Sequence, residues 1–263
     1  MPLGNSWLFP SKPNFTWNMS SRFTVAMVGT FSKFWLEWLN TLKVHNKAQL
    51  YDAIEKRPKD QGLVTVTNHH SCLDDPILWG MLKIRYVMCQ NSLRWTLAAE
   101  DVCFTKYWHA LFFSLGKTVP VVRGAGVYQR SVDFMLEKLC LGEWVHMFPE
   151  GKVNETHQHM RLKWGVGRLI SESNITPIVL PMFHFGMDDV LPNKKPYIPL
   201  IKKKVTVLIG KPIDFKEELD RLRELRKTPR EIRKRVTDLI QEELSILKDK
   251  AQVLHDQHIQ RER

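Results

Sequence analysis

The chain has 263 residues, of which 43% are hydrophobic and 25% are charged, so it is long enough for one large globular domain with appended segments. Its formal net charge of +11 implies an anionic partner, although charge alone leaves nucleic acid, phospholipid headgroups and phosphorylated substrates open. The four cysteines, Cys72, Cys89, Cys103 and Cys140, are too widely spaced for a zinc knuckle or a disulfide scaffold, and we expect reduced or buried thiols.

The first predicted element is an amphipathic helix over residues 23–42. The prolines within residues 1–21 argue against a cleaved mitochondrial presequence before it. At about 100° per residue, one face collects large apolar side chains. These are Met27, Phe31, Phe34, Trp35, Trp38 and Leu42. The apolar run is shorter than the roughly 20 residues that cross a membrane, so we expect a monotopic helix in the plane of a membrane surface. Packing of the same face on the protein's own core is the competing interpretation.

From Leu63 onward, segments typical of strands alternate with segments typical of helices. The predicted strands are residues 63–67, 86–89, 118–122, 144–148, 178–182 and 205–209, and the predicted helices are residues 77–82, 107–114, 127–141 and 161–171. A capping pattern of Thr228, Pro229 and Glu231 opens a final helix. The alternation predicts an α/β fold with a largely parallel central sheet flanked by helices.

The polar stretch of residues 68–76 lies between the first of these strands and a helix, where α/β folds bind ligands. A carboxylate bonded to one imidazole nitrogen prepares a histidine as a general base. Residues five apart on a helix diverge by roughly 140°, so a pair of His69 and Asp74 requires a turn between them. Pro76 would then begin the helix with Asp75 as its N-cap. The competing interpretation is a polar loop whose acids only cap that helix.

Two further polar segments follow predicted strands. After residues 118–122 come Arg123 and Gly124, where a guanidinium could reach a phosphate beside an approachable backbone. After residues 144–148 come Glu150, Gly151 and Lys152, which combine a carboxylate, a flexible point and a cation. No metal-ligand spacing is present in the sequence, so we expect no metal. Without a G-x-S-x-G elbow, a serine hydrolase is disfavoured.

In this order and spacing, the segments resemble the glycerolipid (lysophospholipid) acyltransferase superfamily. The matching motifs are H-x-x-x-x-D at residues 69–74, G-x-x-x-P-x-x-R-G at 116–124, F-P-E-G at 148–151 and a proline-ended strand at Pro181. The resemblance covers about residues 60–210. It implies that His69 and Asp74 are catalytic. It also implies that Arg123, Gly124, Glu150, Gly151 and Lys152 bind the acceptor and its phosphate, although Lys152 replaces the small hydroxyl residue common after F-P-E-G.

Further residues are similar to the cardiolipin-remodelling branch of this superfamily. They are Asn68, Asp75, His184, residues 144–146, 148–154 and 163–165, and Asp189 to Asn193. This resemblance implies a transacylase that moves acyl chains from phosphatidylcholine to monolysocardiolipin, forming cardiolipin without coenzyme A or another cofactor. It implies mitochondrial inner and outer membranes, on the side facing the intermembrane space, and no nucleic acid.

The corresponding domain prediction is a membrane-anchoring segment at 1–45, an acyltransferase domain at 46–215 and C-terminal helices at 216–263. Two alternatives stay open at this point. One is an acyl-CoA-dependent lysophospholipid acyltransferase, and the other is a non-catalytic basic module that binds membranes or nucleic acid.

Overall fold

The computed structural model describes residues 7–88 and 93–260 and contains a seven-stranded sheet in the order β1-β7-β6-β2-β5-β3-β4. Its strands are β1 (Thr41–His45), β2 (Leu63–Val66), β3 (Trp95–Ala99), β4 (Thr118–Val121), β5 (Trp144–Met147), β6 (Ile178–Phe185) and β7 (Lys204–Ile209). Every neighbouring pair is parallel except β6 and β7, which are antiparallel. The predicted α/β fold with a largely parallel sheet is confirmed.

Helices cover both faces of the sheet. They are α1 (Phe15–Glu37), α2 (Lys47–Glu55), α3 (Asp74–Ile77), α4 (Ile84–Val87), α5 (Glu100–Cys103), α6 (Tyr107–Leu115), α7 (Arg130–Cys140), α8 (Gly165–Ser171), α9 (Met187–Val190), α10 (Lys216–Glu224) and α11 (Pro229–Gln260), with a 3-10 turn at Leu78–Met81. Successive strand residues point to opposite faces. Val64 therefore packs with α7, α8, α10 and α11, whereas Leu63 packs with α1, α2, α4 and α9. The two hydrophobic cores give the molecule two distinct sides.

Several local predictions were wrong. The segment predicted as a strand at 86–89 is helical in α4 up to Val87, and Cys89 lies outside the described residues. Strands β1 and β3 were not predicted. Asn40 explains β1, because its Nδ2 donates to Trp35 O at 2.9 Å and its Oδ1 accepts from Lys203 N at 2.9 Å. These bonds end the helix and place the following residues beside β7, with which β1 pairs. Residues 41–45, which were predicted as part of the N-terminal membrane segment, therefore belong to the sheet.

Helix α1 packs through small residues and leaves its aromatic face outside. A Cβ on Gly29 would lie 2.3 Å from Val87 Cγ1, and one on Gly80 would lie 2.5 Å from Ser32 O. The side chains exposed on the other face are Phe15, Met19, Phe23, Met27, Phe31, Phe34 and Trp38. Trp35 is only half-buried but packs against the core, and Leu42 is in β1, so these two leave the predicted membrane face. Among the described residues, no helix is long and apolar enough to cross a membrane.

The predicted start of the final helix is confirmed. The backbone N and Oγ1 of Thr228 each donate to Glu231 Oε2 at 2.8 Å, and Glu231 N donates back to Thr228 Oγ1 at 3.3 Å. This reciprocal arrangement is a capping box. It begins α11, whose apolar stripe packs on the sheet face opposite α1.

We expect Gly80→Ala to destabilise the protein by about 1–3 kcal/mol, because the added methyl group would overlap the Ser32 carbonyl and push α1 outward. Urea unfolding measures this change. Gly165→Ala is the matched control, since its Cβ would meet Met147 at an ordinary 3.6 Å. Equal unfolding midpoints for the two variants would contradict the close approach of α1.

Candidate active site

Three predicted segments meet at the carboxyl ends of β6, β2 and β5. These strands are neighbours, and β2 runs parallel to both of the others. Strand β2 leads into His69, β5 leads into residues 148–151, and His184 lies near the end of β6. The shared edge is where sheets of this class place their ligands.

The side chains of His69 and Asp74 face each other across the turn after β2. Nδ1 of His69 lies 2.9 Å from Oδ2 of Asp74. Because a carboxylate can only accept, Nδ1 carries the proton and Nε2 is left as the basic nitrogen. The side chain of His69 is 19% exposed, whereas that of Asp74 is completely buried. The geometry therefore provides an oriented imidazole that an outside molecule can reach.

The Asp74 carboxylate accepts several hydrogen bonds from the residues of this turn. Its Oδ2 also accepts from the backbone N of His70 at 2.7 Å and of Ser71 at 3.0 Å. Burial alone would raise the pKa of Asp74, but His184 and His69 outweigh it and hold the pKa of this carboxyl well below its usual range. Asp74 therefore stays ionised wherever the protein is folded near neutral pH.

His184 is a second histidine on Asp74, to which the sequence analysis assigned no role. Its ring is completely buried, with Nε2 3.5 Å from Asp74 Oδ2 and 3.2 Å from Asn68 O. Burial by itself lowers the pKa of His184, but the charge and hydrogen bond of Asp74 outweigh it, so the pKa is raised. Only the neighbouring positions of β6 and β2 bring these groups together, and no local sequence signal shows that pairing.

The segment after β5 fixes the backbone of His69. Glu150 Oε1 accepts from His69 N at 3.1 Å, and Asn154 N donates to His69 O at 2.6 Å. The ring of Phe148 stacks on the imidazole at 4.3 Å between centroids. Burial raises the pKa of Glu150. The contact that Glu150 makes is thus with the His69 main chain, which holds the histidine in place.

The carboxylate of Asp75 does not cap the following helix as the sequence predicted. Its backbone has the extended φ and ψ of −106° and 121° that are typical of an N-cap residue, but within the described chain its side chain accepts no bond from the backbone of the first helical turn. Its carboxylate instead accepts from Arg94 Nε at 2.9 Å and Nη2 at 2.5 Å, and from Trp79 Nε1 at 2.6 Å. Arg94 is 5% exposed, and because it comes from the segment before β3, the capping pattern could not reveal it.

Of the predicted acceptor- and phosphate-binding residues, Glu150 contacts the His69 backbone, whereas Arg123 lies apart from this cluster. Arg123 follows the edge strand β4, three strand positions from β2, which corresponds to roughly 14 Å at the usual strand spacing. It is exposed and forms an ion pair with Asp101. Gly124 and Gly151 have left-handed φ values of 85° and 74°, and Lys152 is exposed. Arg123 and Lys152 therefore present their charges to solvent.

Behind the turn, His70, His157 and Asp188 bring ligand atoms within 4.8 Å of one another. Burial lowers the pKa of His70 to about 3, and His157 Nε2 lies 3.0 Å from Asp188 Oδ2. Such a set could hold a cation, but the Lys248 ammonium, 2.7 Å from His157 O, opposes one electrostatically. The three residues are too far apart in the chain for spacing to reveal the cluster.

We expect Arg94→Met to destabilise the protein by about 3–5 kcal/mol, because the Asp75 carboxylate would lose its buried partner. Arg85→Met is the matched control, since the Arg85–Glu55 pair is exposed and such pairs contribute about 0–1 kcal/mol. Chemical unfolding measures both. A cost for Arg94→Met as small as the control would mean that the buried pair does not hold the turn.

Known proteins share this architecture. Residues 42–184 match the acyltransferase family. A tafazzin of Drosophila melanogaster is 47% identical over 257 residues, 97% of this chain and 68% of that protein. An N-acylphosphatidylethanolamine synthase of Arabidopsis thaliana is 41% identical over 201 residues, 74% of this chain and 71% of that protein. The crystal structure of the 1-acyl-sn-glycerophosphate acyltransferase PlsC of Thermotoga maritima has the same fold, with a TM-score of 0.58, 20% identity, and 94% of this chain and 86% of that chain covered. The chain is therefore an acyltransferase that belongs to the tafazzin family within the glycerolipid acyltransferase superfamily.

Proposed function

We propose that this phospholipid acyltransferase is a transacylase that moves an acyl chain from one phospholipid to a lysophospholipid without coenzyme A. The observation that carries the proposal is the His69–Asp74 contact. The carboxylate holds the imidazole proton on Nδ1, so Nε2 of this partly exposed ring can accept a proton. A general base of this kind is what an alcohol nucleophile requires.

The reaction follows from this geometry. Nε2 of His69 takes the proton of the free hydroxyl of the lysophospholipid as its oxygen attacks the acyl ester carbonyl of the donor. The tetrahedral intermediate then expels the donor's glycerol oxygen, which takes the proton from His69. One ester bond is broken, one is formed, and the base is regenerated. Because the two esters are nearly equal in energy, no activated acyl donor is needed.

The residues around the base have supporting roles. Asp74 stabilises the imidazolium that forms during proton transfer, and Glu150 holds the His69 backbone. Arg123 and Lys152 are exposed cations, suited to headgroup phosphates. Gly124 and Gly151, next to these cations in the chain, have no side chain and would let a headgroup come close to the backbone. At roughly 14 Å from β2, Arg123 would contact a headgroup and not the reacting ester.

The favoured substrates are phosphatidylcholine as donor and monolysocardiolipin as acceptor, with cardiolipin as product. The motif resemblance to the cardiolipin-remodelling branch supports this choice, as does the 47% identity to a tafazzin across 97% of the chain. The same similarity supports mitochondrial inner and outer membranes, on the surface that faces the intermembrane space.

Both lipids stay in the membrane, so the enzyme must bind its surface. The aromatic face of α1 supports this requirement, because Phe31 and Trp38 are exposed while the opposite face of the helix is buried. The alternative of core packing would bury the aromatics. We therefore propose Met27, Phe31, Phe34 and Trp38 as membrane contacts, and Trp35 as the residue that joins the helix to the core.

The central experiment mixes purified protein with liposomes of labelled phosphatidylcholine and monolysocardiolipin, without coenzyme A, and follows acyl transfer by mass spectrometry. We expect labelled cardiolipin and lysophosphatidylcholine in equal amounts. We expect His69→Ala to lower the rate by at least about 100-fold, because general-base catalysis commonly contributes a factor of about 10²–10⁴.

His159→Ala is the matched control, since His159 is exposed and its ring contacts Gln241 of α11. Transfer only after acyl-CoA is added would instead indicate an acyl-CoA-dependent enzyme. Phosphatidylethanolamine is included as an acceptor, because the Arabidopsis relative is named for acylation of that lipid. No transfer under any of these conditions would favour a non-catalytic membrane module.

A second prediction concerns His184. Since His69 must be neutral to accept a proton, the rate falls at low pH. His184→Gln removes a group that shares the Asp74 carboxylate, so Asp74 is left to stabilise protonated His69 more strongly. We expect the acidic limb of the pH–rate profile to move to higher pH.

His146→Gln serves as the control, because His146 is an equally buried histidine on the adjacent β5 but bonds to Thr65 Oγ1 at 2.8 Å. We expect its acidic limb to stay in place. A lower rate for His184→Gln with an unchanged midpoint would show that His184 is merely structural.

A further inference from the structure

Residues 193–203, which we name the lysine-flanked loop, join α9 to β7. Two lysines stand near its start, Lys194 and Lys195, and two at its end, Lys202 and Lys203. Between them lie four large apolar side chains that are 39–59% exposed: Tyr197, Ile198, Leu200 and Ile201. Single exposed apolar residues are ordinary, but a contiguous group with a polar rim marks a contact surface.

The backbone at the apolar tip is suited to a medium without water. Pro196 and Pro199 have no N–H. Ile198 N donates to Pro196 O at 2.8 Å, and Leu200 N donates to Val190 O at 2.6 Å. Two prolines and two bonded amides therefore leave four of the five positions from 196 to 200 without a free donor. Unpaired N–H groups contribute to the cost of immersing irregular backbone in lipid, together with unpaired carbonyls, so the tip has the donor half of this cost largely removed.

The end of the loop is fastened to the end of α1. Lys202 N donates to Leu39 O at 2.7 Å, and Lys203 N donates to Asn40 Oδ1 at 2.9 Å. Trp38, which directly precedes Leu39 at the end of α1, is 78% exposed. The apolar tip of the loop is thus continuous with the aromatic face of α1.

The beginning of the loop is fastened to the turn that carries His69. Asn193 Nδ2 donates to His70 O at 2.7 Å, and Ser71 Oγ donates to Leu191 O at 3.1 Å. The loop therefore spans the distance between the catalytic turn and the membrane helix, with a direct bond at each end.

Its lysines indicate which surface it meets. Within residues 7–88 and 93–260, no carboxylate forms an ion pair with Lys194, Lys195, Lys202 or Lys203, so the charges of all four are available to an anionic partner, unlike those of Lys216, Lys227 and Lys234. An apolar tip between unpaired cations is complementary to a bilayer that contains anionic phospholipids.

We propose that the lysine-flanked loop is a second membrane-binding element, which inserts Tyr197, Ile198, Leu200 and Ile201 into an anionic phospholipid bilayer beside α1 and places its lysines among the phosphates. Its attachments then set the height of His69 above the lipid. The inference rests on the proposed function only for the membrane contact of α1, and its readout is binding, which requires no acyl transfer.

The test is sedimentation of the full chain with phosphatidylcholine vesicles that contain or lack 20–30% cardiolipin. Replacing the four apolar residues with Ser should weaken binding to both kinds of vesicle at least about tenfold. Replacing Lys194, Lys195 and Lys202 with Gln should weaken binding to the anionic vesicles alone, by about fivefold per lysine at low salt. A Phe31→Ser, Phe34→Ser variant serves as the reference for α1.

Matched controls come from the other side of the sheet. Serine replacements at Leu141, Leu225, Ile246 and Val253 remove four comparably exposed apolar side chains, and Gln replacements at Lys216, Lys227 and Lys234 remove three lysines. We expect both control variants to bind as the wild type does. Loop variants that bind like these controls would overturn the proposal.

Hydrogen exchange of the wild-type protein provides a test that needs no folded variant. Amides of residues 194–202 should exchange more slowly when anionic vesicles are present, and unchanged exchange there with slowed exchange in α1 would exclude insertion of the loop. Acyl transfer in detergent micelles is measured separately. Its absence would contradict the proposed function and leave the binding result to decide the loop.

Discussion

The buried carboxylate of Asp74 is the interaction on which the site depends. A charge in a protein interior is stable only when it is paired and hydrogen-bonded, and Asp74 has two backbone amides and two imidazoles around it. These contacts are all made to Oδ2, and they stabilise the charge, shape the turn and determine which nitrogen of His69 is basic. One desolvated group therefore sets both the local backbone and the orientation of the imidazole.

The sheet explains how these partners meet. Strand β2 is central, and its parallel neighbours β5 and β6 deliver their carboxyl ends to the same edge. Strand β5 supplies Glu150 to the His69 backbone, while β6 supplies His184 to the carboxylate. The antiparallel return through β7 then brings the chain beside β1 and the end of α1. This single change of strand direction thus connects the turn of His69 and Asp74 with the helix proposed to contact the membrane.

Sequence patterns captured the parts of the molecule that are encoded locally. The alternation of apolar runs predicted the sheet, and five-residue spacing predicted the turn between His69 and Asp74. The partners of Asp74 and Asp75 were not predicted. His184 and Arg94 are distant in the sequence and come close to these acids only because of the order of the strands in the sheet. Strand β1 was missed for a related reason, since Asn40 ends α1 with a bond to the distant Lys203. The phosphate role of Arg123 stays a prediction from motif resemblance.

The small-residue contact of α1 has a consequence of its own. At Gly80 the 3-10 turn meets the Ser32 backbone of α1 with no side chain between them, and at Gly29 only the Val87 side chain separates α1 from α4, so the tilt of the helix axis has little freedom to change. Under the membrane contact proposed for α1, Gly29 and Gly80 thereby set the angle at which the helix meets the lipid. Substitutions at either position would then impair access to the lipid substrate and leave the His69–Asp74 contact in place.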